Sequence, residues 1–390
     1  MQVTGLSAIM KWVTSVLMIV SMILSLAVPG TPSTPEKPTD TPTKPVAPVV
    51  REIGANTKNV ILLIGDGMGM NHLEKTKLDR GVELVMETMP LKGQSDTSSW
   101  LGFTTDSAAG ATALSCGTLT MNGVLGRYPT DINGRASYPM SITEYAKSLG
   151  MKTGVVTTDS TAGATPAGFS AHTSSRKNSD DISAQQIKAN IDLIWGAATS
   201  SMDPTEVAKA GKKYISTKTE LNALTVEDGQ SIGQFVGDTW STEAPSTVVK
   251  LHEMTEKALE LLDNDNGFFV MIEGAHIDKH SHKNIDDKMT DALLEFDKAI
   301  EVALEFAKND GNTVVIVTAD HETGGITYRN GSYVFTVGSH TDADVPLLVY
   351  GNCPFMKDGL AVKNVYIASM MAALLNGGNL NILPSKVYVK

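Results

Sequence analysis

The sequence is poor in cysteine and has no excess of basic residues. Cys116 and Cys353 are its only cysteines, too few for a disulfide framework, and we expect both to be packed thiols. The formal net charge of -11 argues against general nucleic-acid binding, because a phosphate backbone needs a basic face. An acidic protein can still bind phosphate where metal ions reverse the local charge. Hydrophobic and charged contents of 42% and 19% are those of an ordinary globular protein.

The first fifty residues differ in composition from the rest. Residues 12–28 form a run of 17 without a charge, follow Lys11 and end in small residues, which is typical of a secretory signal. The run is just long enough to span a membrane, so residues 1–28 are interpreted as a signal peptide or membrane anchor. Residues 29–50, rich in proline and threonine, are interpreted as an extended linker. We expect export to the periplasm, the medium or the bacterial cell surface, with a membrane tether if the segment is not cleaved, and a catalytic domain over 51–390.

Three continuous apolar runs predict strands buried on both faces. They cover residues 60–64, 267–272 and 313–318. Between them, residues 141–149 read as a helix, and apolar residues spaced from 289 to 307 mark the buried stripe of a long amphipathic helix. Strands that alternate with helices indicate an α/β fold, with a mainly parallel central sheet and helices on both faces.

Other segments give weaker signals. Residues 152–157 and 345–350 read as strands, 328–337 as a hairpin and 362–375 as a closing helix. Residues from about 180 to 265 show only short helical patterns between polar loops, without a linker or a repeat.

Ser107 lies at the apex of a polar turn, directly before the small residues 108–113. Asp106 or Ser107 would cap the following helix, and the small residues would allow close packing. A serine hydroxyl in this place lies at the positive end of a helix, where an anion is stabilised. Taken alone, the stretch indicates only a capped and tightly packed helix.

Acidic residues follow the three buried strands. Asp66, Glu273 and Asp320 would meet at the carboxyl edge of the sheet, where open α/β sheets bind ligands. Carboxylates that converge without cations repel one another, and bound metal ions remove that repulsion. Five of the eight histidines lie between residues 276 and 340, although a single histidine is often a core or surface residue. A mixed set suited to zinc comprises Asp278, His282, Asp320, His321 and His340, and an all-oxygen set suited to magnesium comprises Asp66, Thr165 and Glu273.

These residue types support phosphoryl transfer. Two zinc ions about 4 Å apart can hold the attacking and leaving oxygens of an in-line displacement. Ser107 Oγ on one of them would be a nucleophile that needs no histidine base. Arg176, an isolated cation in a Ser/Thr-rich stretch, would bind the phosphoryl oxygens, although a solvated surface arginine is the commoner case.

Several segments, in this order along the chain, resemble the alkaline phosphatase family. They span almost the whole chain after the linker. The segments are NVILLIGDGMG (59–69), TTDSAAGATALSCGTLTMNGVLG (104–126), ATPAGFSAHTSSR (164–176), EGAHIDKHSH (273–282), TADHETGG (318–325) and GSH (338–340).

The resemblance implies an alkaline-phosphatase-like fold and a homodimer that hydrolyses small phosphomonoesters with little regard for the alcohol. It makes Ser107 the phosphorylated nucleophile and Arg176 the phosphate clamp, and Lys279 is expected to reach phosphate through water. The implied cofactors are two Zn²⁺ and one Mg²⁺. By position, the resemblance assigns Asp278, His282 and His340 to the first zinc, Asp66, Asp320, His321 and Ser107 to the second, and Asp66, Thr165 and Glu273 to magnesium.

The chain departs from the family at three places. Gly163 stands where some members have an aspartate or histidine, and Lys279 occupies a position that differs between subgroups. Both positions bear on the identity and occupancy of the third metal. Only 18 residues separate His321 from His340, so we expect a reduced crown insertion and a smaller dimer interface.

Other function classes fit less well. A sulfatase would need C/S-x-P-x-R, and a phosphodiesterase would have less use for Arg176 on two free phosphoryl oxygens. A metal-binding or adhesive protein without turnover would not need the complete ligand set together with Ser107. A serine esterase is disfavoured because no G-x-S-x-G surrounds Ser107.

Overall fold

The computed structural model describes residues 57–129 and 138–377. The interpretations of residues 1–28 and 29–50 lie outside these ranges and stay predictions. None of the helices within the described ranges combines the length and the apolar character needed to cross a membrane.

The described residues contain fourteen strands and eleven α-helices. The strands are β1 Asn59–Gly65, β2 Leu91–Asp96, β3 Lys152–Ser160, β4 Leu193–Ala197, β5 Lys213–Ile215, β6 Ser231–Phe235, β7 Phe268–Gly274, β8 Thr313–Thr318, β9 Glu322–Thr323, β10 Thr327–Arg329, β11 Ser332–Val334, β12 His340–Thr341, β13 Val345–Tyr350 and β14 Ala361–Lys363. The helices are α1 Met70–Arg80, α2 Ser107–Cys116, α3 Ile142–Ser148, α4 Ala164–Gly168, α5 Ser179–Lys188, α6 Pro204–Lys209, α7 Lys218–Asn222, α8 Leu251–Leu262, α9 His276–Ser281, α10 Asp286–Asp310 and α11 Val365–Leu375.

Ten strands form one sheet in the order β14-β2-β13-β8-β1-β7-β3-β4-β6-β5. All of its strands run in one direction except β13, which is antiparallel to both β8 and β2. The central strand β1 pairs in parallel with β7 on one side and with β8 on the other. The prediction of a mainly parallel central sheet is therefore confirmed.

Helices cover both faces of the sheet. Along β1, Ile61 and Leu63 pack into one core with α8 and α10, whereas Val60, Leu62 and Ile64 pack into a second core with α3 and α11. Because successive side chains of a strand point to opposite faces, an uninterrupted apolar run buries both faces of β1.

The sequence prediction missed three strands between residues 180 and 265. β4, β5 and β6 extend the sheet in parallel beyond β3. β5 has only three residues, and the five-residue strands β4 and β6 are interrupted by glycine, so neither strand periodicity nor a long apolar run marks them. The closing helix also begins later than predicted, at Val365, because β14 uses the preceding residues to pair with β2.

The two cysteines are buried and unpaired, as expected from the sequence. Cys116 lies at the end of α2, where burial raises the pKa of its thiol to about 12. Both therefore behave as packed apolar groups.

Candidate active site and metal centre

Helix α2 presents Ser107 as its first residue. Asp106 is the N-cap, and its Oδ1 accepts a hydrogen bond from the backbone N–H of Ala109 at 3.0 Å. The other carboxylate oxygen accepts from Gly123 N–H at 2.9 Å and from Arg176 Nη1 at 3.1 Å. The predicted cap is thus Asp106, which fixes both the start of the helix and the position of Arg176.

The small residues of α2 allow it to approach the end of β8. A Cβ added to Gly110 would lie 2.8 Å from the carbonyl oxygen of Asp320 and 2.9 Å from its Cβ. Real Cβ contacts of that length are strongly repulsive, so only glycine permits this approach. The consequence is that Ser107 Oγ lies 3.2 Å from His321 Nε2, in a buried position.

Asp278, His282 and His340 form one compact group of potential metal ligands. The Nε2 atoms of the two histidines are 3.1 Å apart, and they lie 3.3 and 3.6 Å from Asp278 Oδ1. In each ring Nδ1 faces a backbone carbonyl, Gly338 O at 2.9 Å for His282 and Thr105 O at 2.8 Å for His340. A carbonyl accepts a proton and does not donate one, so Nδ1 carries the hydrogen and the Nε2 lone pairs converge on one point.

Asp66, Asp320 and His321 form the second group. His321 Nε2 lies 3.5 Å from Asp66 Oδ1 and 3.4 Å from Asp320 Oδ2. Asp66 Oδ1 and Asp320 Oδ2 are both buried without a hydrogen-bond partner. The other oxygen of Asp320 accepts from the N–H groups of Gly67 and His321, at 3.2 and 3.0 Å, which orients the carboxylate.

Thr323 connects the two groups. Its hydroxyl donates to Asp278 Oδ1 at 2.6 Å and lies 3.2 Å from His321 Nδ1. Since the hydroxyl proton is used on Asp278, its oxygen accepts from His321 Nδ1–H, and the His321 Nε2 lone pair faces the second group. Sequence reasoning missed this role, although Thr323 lies within the quoted segment 318–325.

Burial and mutual repulsion perturb the acids of the site. The pKa of Asp66 is raised well above its ordinary value by burial, by Asp320 and by Asp278, and Arg176 opposes the shift. Burial, and then the charge of Asp278, raise the pKa of Asp320. Burial lowers the pKa of His321 to about 3, so this imidazole is neutral and able to act as a ligand. The ionised carboxylates are costly here unless cations neutralise them.

A third set of oxygen donors lies at the ends of β1, β7 and α4. Thr165 Oγ1, like Asp66 Oδ1, is buried without a hydrogen-bond partner. Glu273 is almost fully buried and accepts a hydrogen bond from the hydroxyl of Thr157. Burial, and then the charge of Asp159, raise the pKa of Glu273 to about 8.

The two predicted phosphate-binding cations differ in their surroundings. Arg176 leaves 36% of its side chain exposed and pairs with Asp106, beside Ser107. Lys279 pairs with Asp159, at the carboxyl end of β3. Asp159 was not among the predicted site residues, because the strand was expected to end at Thr157. The sequence signal that could have identified Asp159 is its place two residues after the predicted end of the strand.

The connection between His321 and His340 is short and ordered. Antiparallel pairing of β12 with β9 places His340 opposite Thr323. The β10–β11 hairpin occupies the segment between them. The predicted reduction of this insertion agrees with two small pairs of strands where a larger insertion would stand.

The family described as alkaline phosphatase matches residues 57–202 and 204–372. Alkaline phosphatase 4 of Bacillus subtilis is 35% identical over 304 residues, which cover 70% of this chain and 63% of that protein. Alkaline phosphatase of Escherichia coli is 33% identical over 333 residues, with coverages of 68% and 70%. The chain thus spans somewhat less than two thirds of the length of the Bacillus relative.

Solved structures give the same result. The alkaline phosphatase from the Antarctic bacterium TAB5 is 31% identical, with a TM-score of 0.71 over 82% of this chain and 98% of that chain. The cold-active enzyme of a Shewanella species is 25% identical, with a TM-score of 0.72 over 81% and 99%. From its sequence, its fold and its arrangement of candidate ligands, the chain belongs to the alkaline phosphatase family.

Proposed function

We propose that the protein hydrolyses phosphate monoesters to an alcohol and inorganic phosphate, through a phosphoserine on Ser107. The observation that carries the proposal is the position of Ser107 Oγ, buried and 3.2 Å from His321 Nε2, within a group of potential metal ligands. Membership of the alkaline phosphatase family supports the same reaction.

The donor atoms fit divalent cations. Two imidazole lone pairs that face each other across 3.1 Å repel one another, and a cation between them and Asp278 turns the repulsion into ligation. The unpartnered oxygens of Asp66 and Asp320 fit a second zinc with His321, and the Thr165 hydroxyl with Asp66 and Glu273 fits magnesium. A variant of the TAB5 enzyme has been solved with Mg bound in a site called M3.

Bound zinc would lower the pKa of the Ser107 hydroxyl and of water, and would neutralise charge on the attacking and leaving oxygens. Arg176 binds the non-bridging phosphoryl oxygens, and Asp106 orients its guanidinium. The amino end of α2 adds positive potential beneath the phosphoryl group. Ser107 Oγ forms a bond to phosphorus while the bond to the alcohol oxygen breaks, and water then cleaves the phosphoserine to free serine and phosphate.

A serine esterase mechanism fits this geometry poorly. A serine–histidine–aspartate triad places the carboxylate on the histidine nitrogen that faces away from the serine. Here Nδ1 of His321 faces Thr323, whereas Asp66 and Asp320 lie on the same nitrogen as Ser107. The histidine is therefore oriented as a metal ligand and not as a general base for Ser107.

The test compares an aryl phosphate monoester, a phosphodiester and a sulfate ester at alkaline pH. We expect the monoester to be the preferred substrate, with activity lost in a chelator and restored by zinc with magnesium. Preference for the diester or the sulfate ester would refute the proposal.

Ser107→Ala tests the nucleophile. The wild-type protein should form an acid-stable phosphoenzyme with labelled monoester, and the variant should form none while it still binds zinc. A phosphoenzyme trapped on the variant would refute the role of Ser107. Ser115→Ala, eight residues along the same helix, is the matched control and should label normally.

We also propose a homodimer that is exported from the cell. Light scattering of the purified protein should give twice the chain mass, and a monomer would contradict the first point. Fusion of residues 1–50 to a reporter should direct it out of the cytoplasm, and retention of the reporter would contradict the second.

A further inference from the structure

Asp159 lies at the carboxyl end of β3, next to the end of β7 that carries Glu273. Its backbone N–H donates to Thr157 Oγ1 at 2.8 Å, and the same hydroxyl donates to Glu273. The adjacent Thr158 hydroxyl accepts from Ala275 N–H at 2.9 Å. The end of β3 is therefore tied to the end of β7, and Asp159 is held beside Glu273.

The carboxylate of Asp159 fills the space next to Gly163. A Cβ built on Gly163 would overlap Oδ2 of Asp159 and lie 2.9 Å from both its Cγ and the backbone carbonyl oxygen of Ser160. The backbone of Gly163, with φ of −58° and ψ of 161°, suits any residue. Glycine is thus favoured at this position by the close approach of the Asp159 carboxylate and of the Ser160 carbonyl oxygen, and not by the φ and ψ of residue 163.

Asp159 also holds Lys279. The two side chains form an ion pair, and both are only partly exposed, at 25% and 37%. Asp159 Oδ1 additionally accepts from Ser160 N–H at 2.7 Å, which fixes the orientation of the carboxylate. A lysine without this partner would bring an uncompensated positive charge to a site that must accept a cation.

We propose that Asp159 is the positioning carboxylate of the third cation site, and that it takes the place of an acidic side chain at position 163. It holds Lys279 and supplies negative charge next to Glu273, and so favours Mg²⁺ on Asp66, Thr165 and Glu273. The buried Thr165 Oγ1, which has no hydrogen-bond partner, points independently to a ligand in that place. This inference rests on the third site of the proposed function.

The experiment is calorimetric titration of Mg²⁺ into the zinc-loaded full-length protein. Asp159→Ala should weaken Mg²⁺ binding about 10-fold or more, as loss of a supporting carboxylate commonly does. Lys279→Ala should act in the opposite sense and tighten binding, because it removes a positive charge. Asp344→Ala removes an exposed carboxylate elsewhere and should leave the affinity unchanged.

A double variant that moves the carboxylate from position 159 to position 163 distinguishes the role of the carboxylate from an effect of misfolding. Asp159→Ala combined with Gly163→Asp returns an acid to the same space from the other segment, with a small shift of the Ser160 carbonyl, and should recover at least half of the lost binding free energy. An affinity for Mg²⁺ in Asp159→Ala within twofold of wild type would overturn the inference. Wild-type protein that binds no Mg²⁺ would overturn the third site itself, and the role of Asp159 with it.

Discussion

Replacing Glu273 by glutamine is expected to stabilise the metal-free protein while weakening its binding of magnesium. Glu273 is almost fully buried and lies near Asp159 and Asp320, and together these raise its pKa to about 8. Glutamine keeps the shape and can still accept from Thr157, but it carries no charge. The variant therefore removes the cost of a buried carboxylate together with its value as a ligand.

The size of the effect follows from the pKa difference between the folded and unfolded chains. Glu273 keeps its proton to about pH 8 in the folded state, against 4.5 for an ordinary glutamate, so its contribution to stability falls as pH rises between these values. One pKa unit corresponds to about 1.4 kcal/mol, which gives a loss on the order of 1–2 kcal/mol between pH 6.5 and 8. The free energy of unfolding of the variant should exceed that of wild type. This difference should grow between pH 6.5 and 8 by the amount of stability that wild type loses over the same range.

The assay is urea unfolding of both proteins in a chelator at pH 6.5 and 8. Buried histidines such as His321, whose pKa values are lowered, add stability as pH rises toward 6.5, but they contribute equally to both proteins and cancel in the difference. Glu256→Gln, at an exposed glutamate, is the control and should show no change with pH. A difference that stays constant or narrows from pH 6.5 to 8 would refute the electrostatic reasoning. With zinc and magnesium present, wild type should be the more stabilised protein.

Two further substitutions test other contacts. Arg176→Ala should lower kcat/KM for a monoester about 100-fold, since contacts to a charged group contribute about 1.5–3 kcal/mol. A change below threefold in steady-state kinetics would contradict the clamp. Gly110→Ala would stabilise an isolated helix by about 1 kcal/mol, but overpacking against Asp320 costs about 1–3 kcal/mol. We expect no net gain in thermal stability and weaker zinc binding in competition with a chelator; a stabilised variant with unchanged zinc affinity would contradict the close packing.

The central part of the fold was predictable because it is buried on both faces. The expected strand over 313–318 coincides with β8, and the one over 345–350 coincides with β13. Continuous apolar runs of this kind have few alternative structures in an α/β protein. The outer strands β4, β5 and β6 carry no such signal, since pairing within the sheet and not their own pattern makes them strands.

The residues that donate potential metal ligands could be predicted from the sequence, but the residues that orient them could not. Residue types and strand ends were enough to expect Asp66, Asp320 and His321 to converge, and the structure brings them together. The orientation of His321 depends on Thr323, which no periodic pattern marks. The place of Asp159 depends on a packing contact with Gly163, which requires the path of the loop between them.

The wide spacing of the ligands along the chain has a consequence for assembly. Asp66 precedes Asp320 by 254 residues, and the two meet only because β1 pairs directly with β8. Closing so large a loop is entropically costly, so the second ligand group cannot form before the centre of the sheet has folded. A chain that crosses a membrane unfolded would carry no preformed zinc site in this group. Metal would then bind beside Ser107 only after the sheet has formed, and its binding would stabilise the folded sheet in the compartment where the protein works.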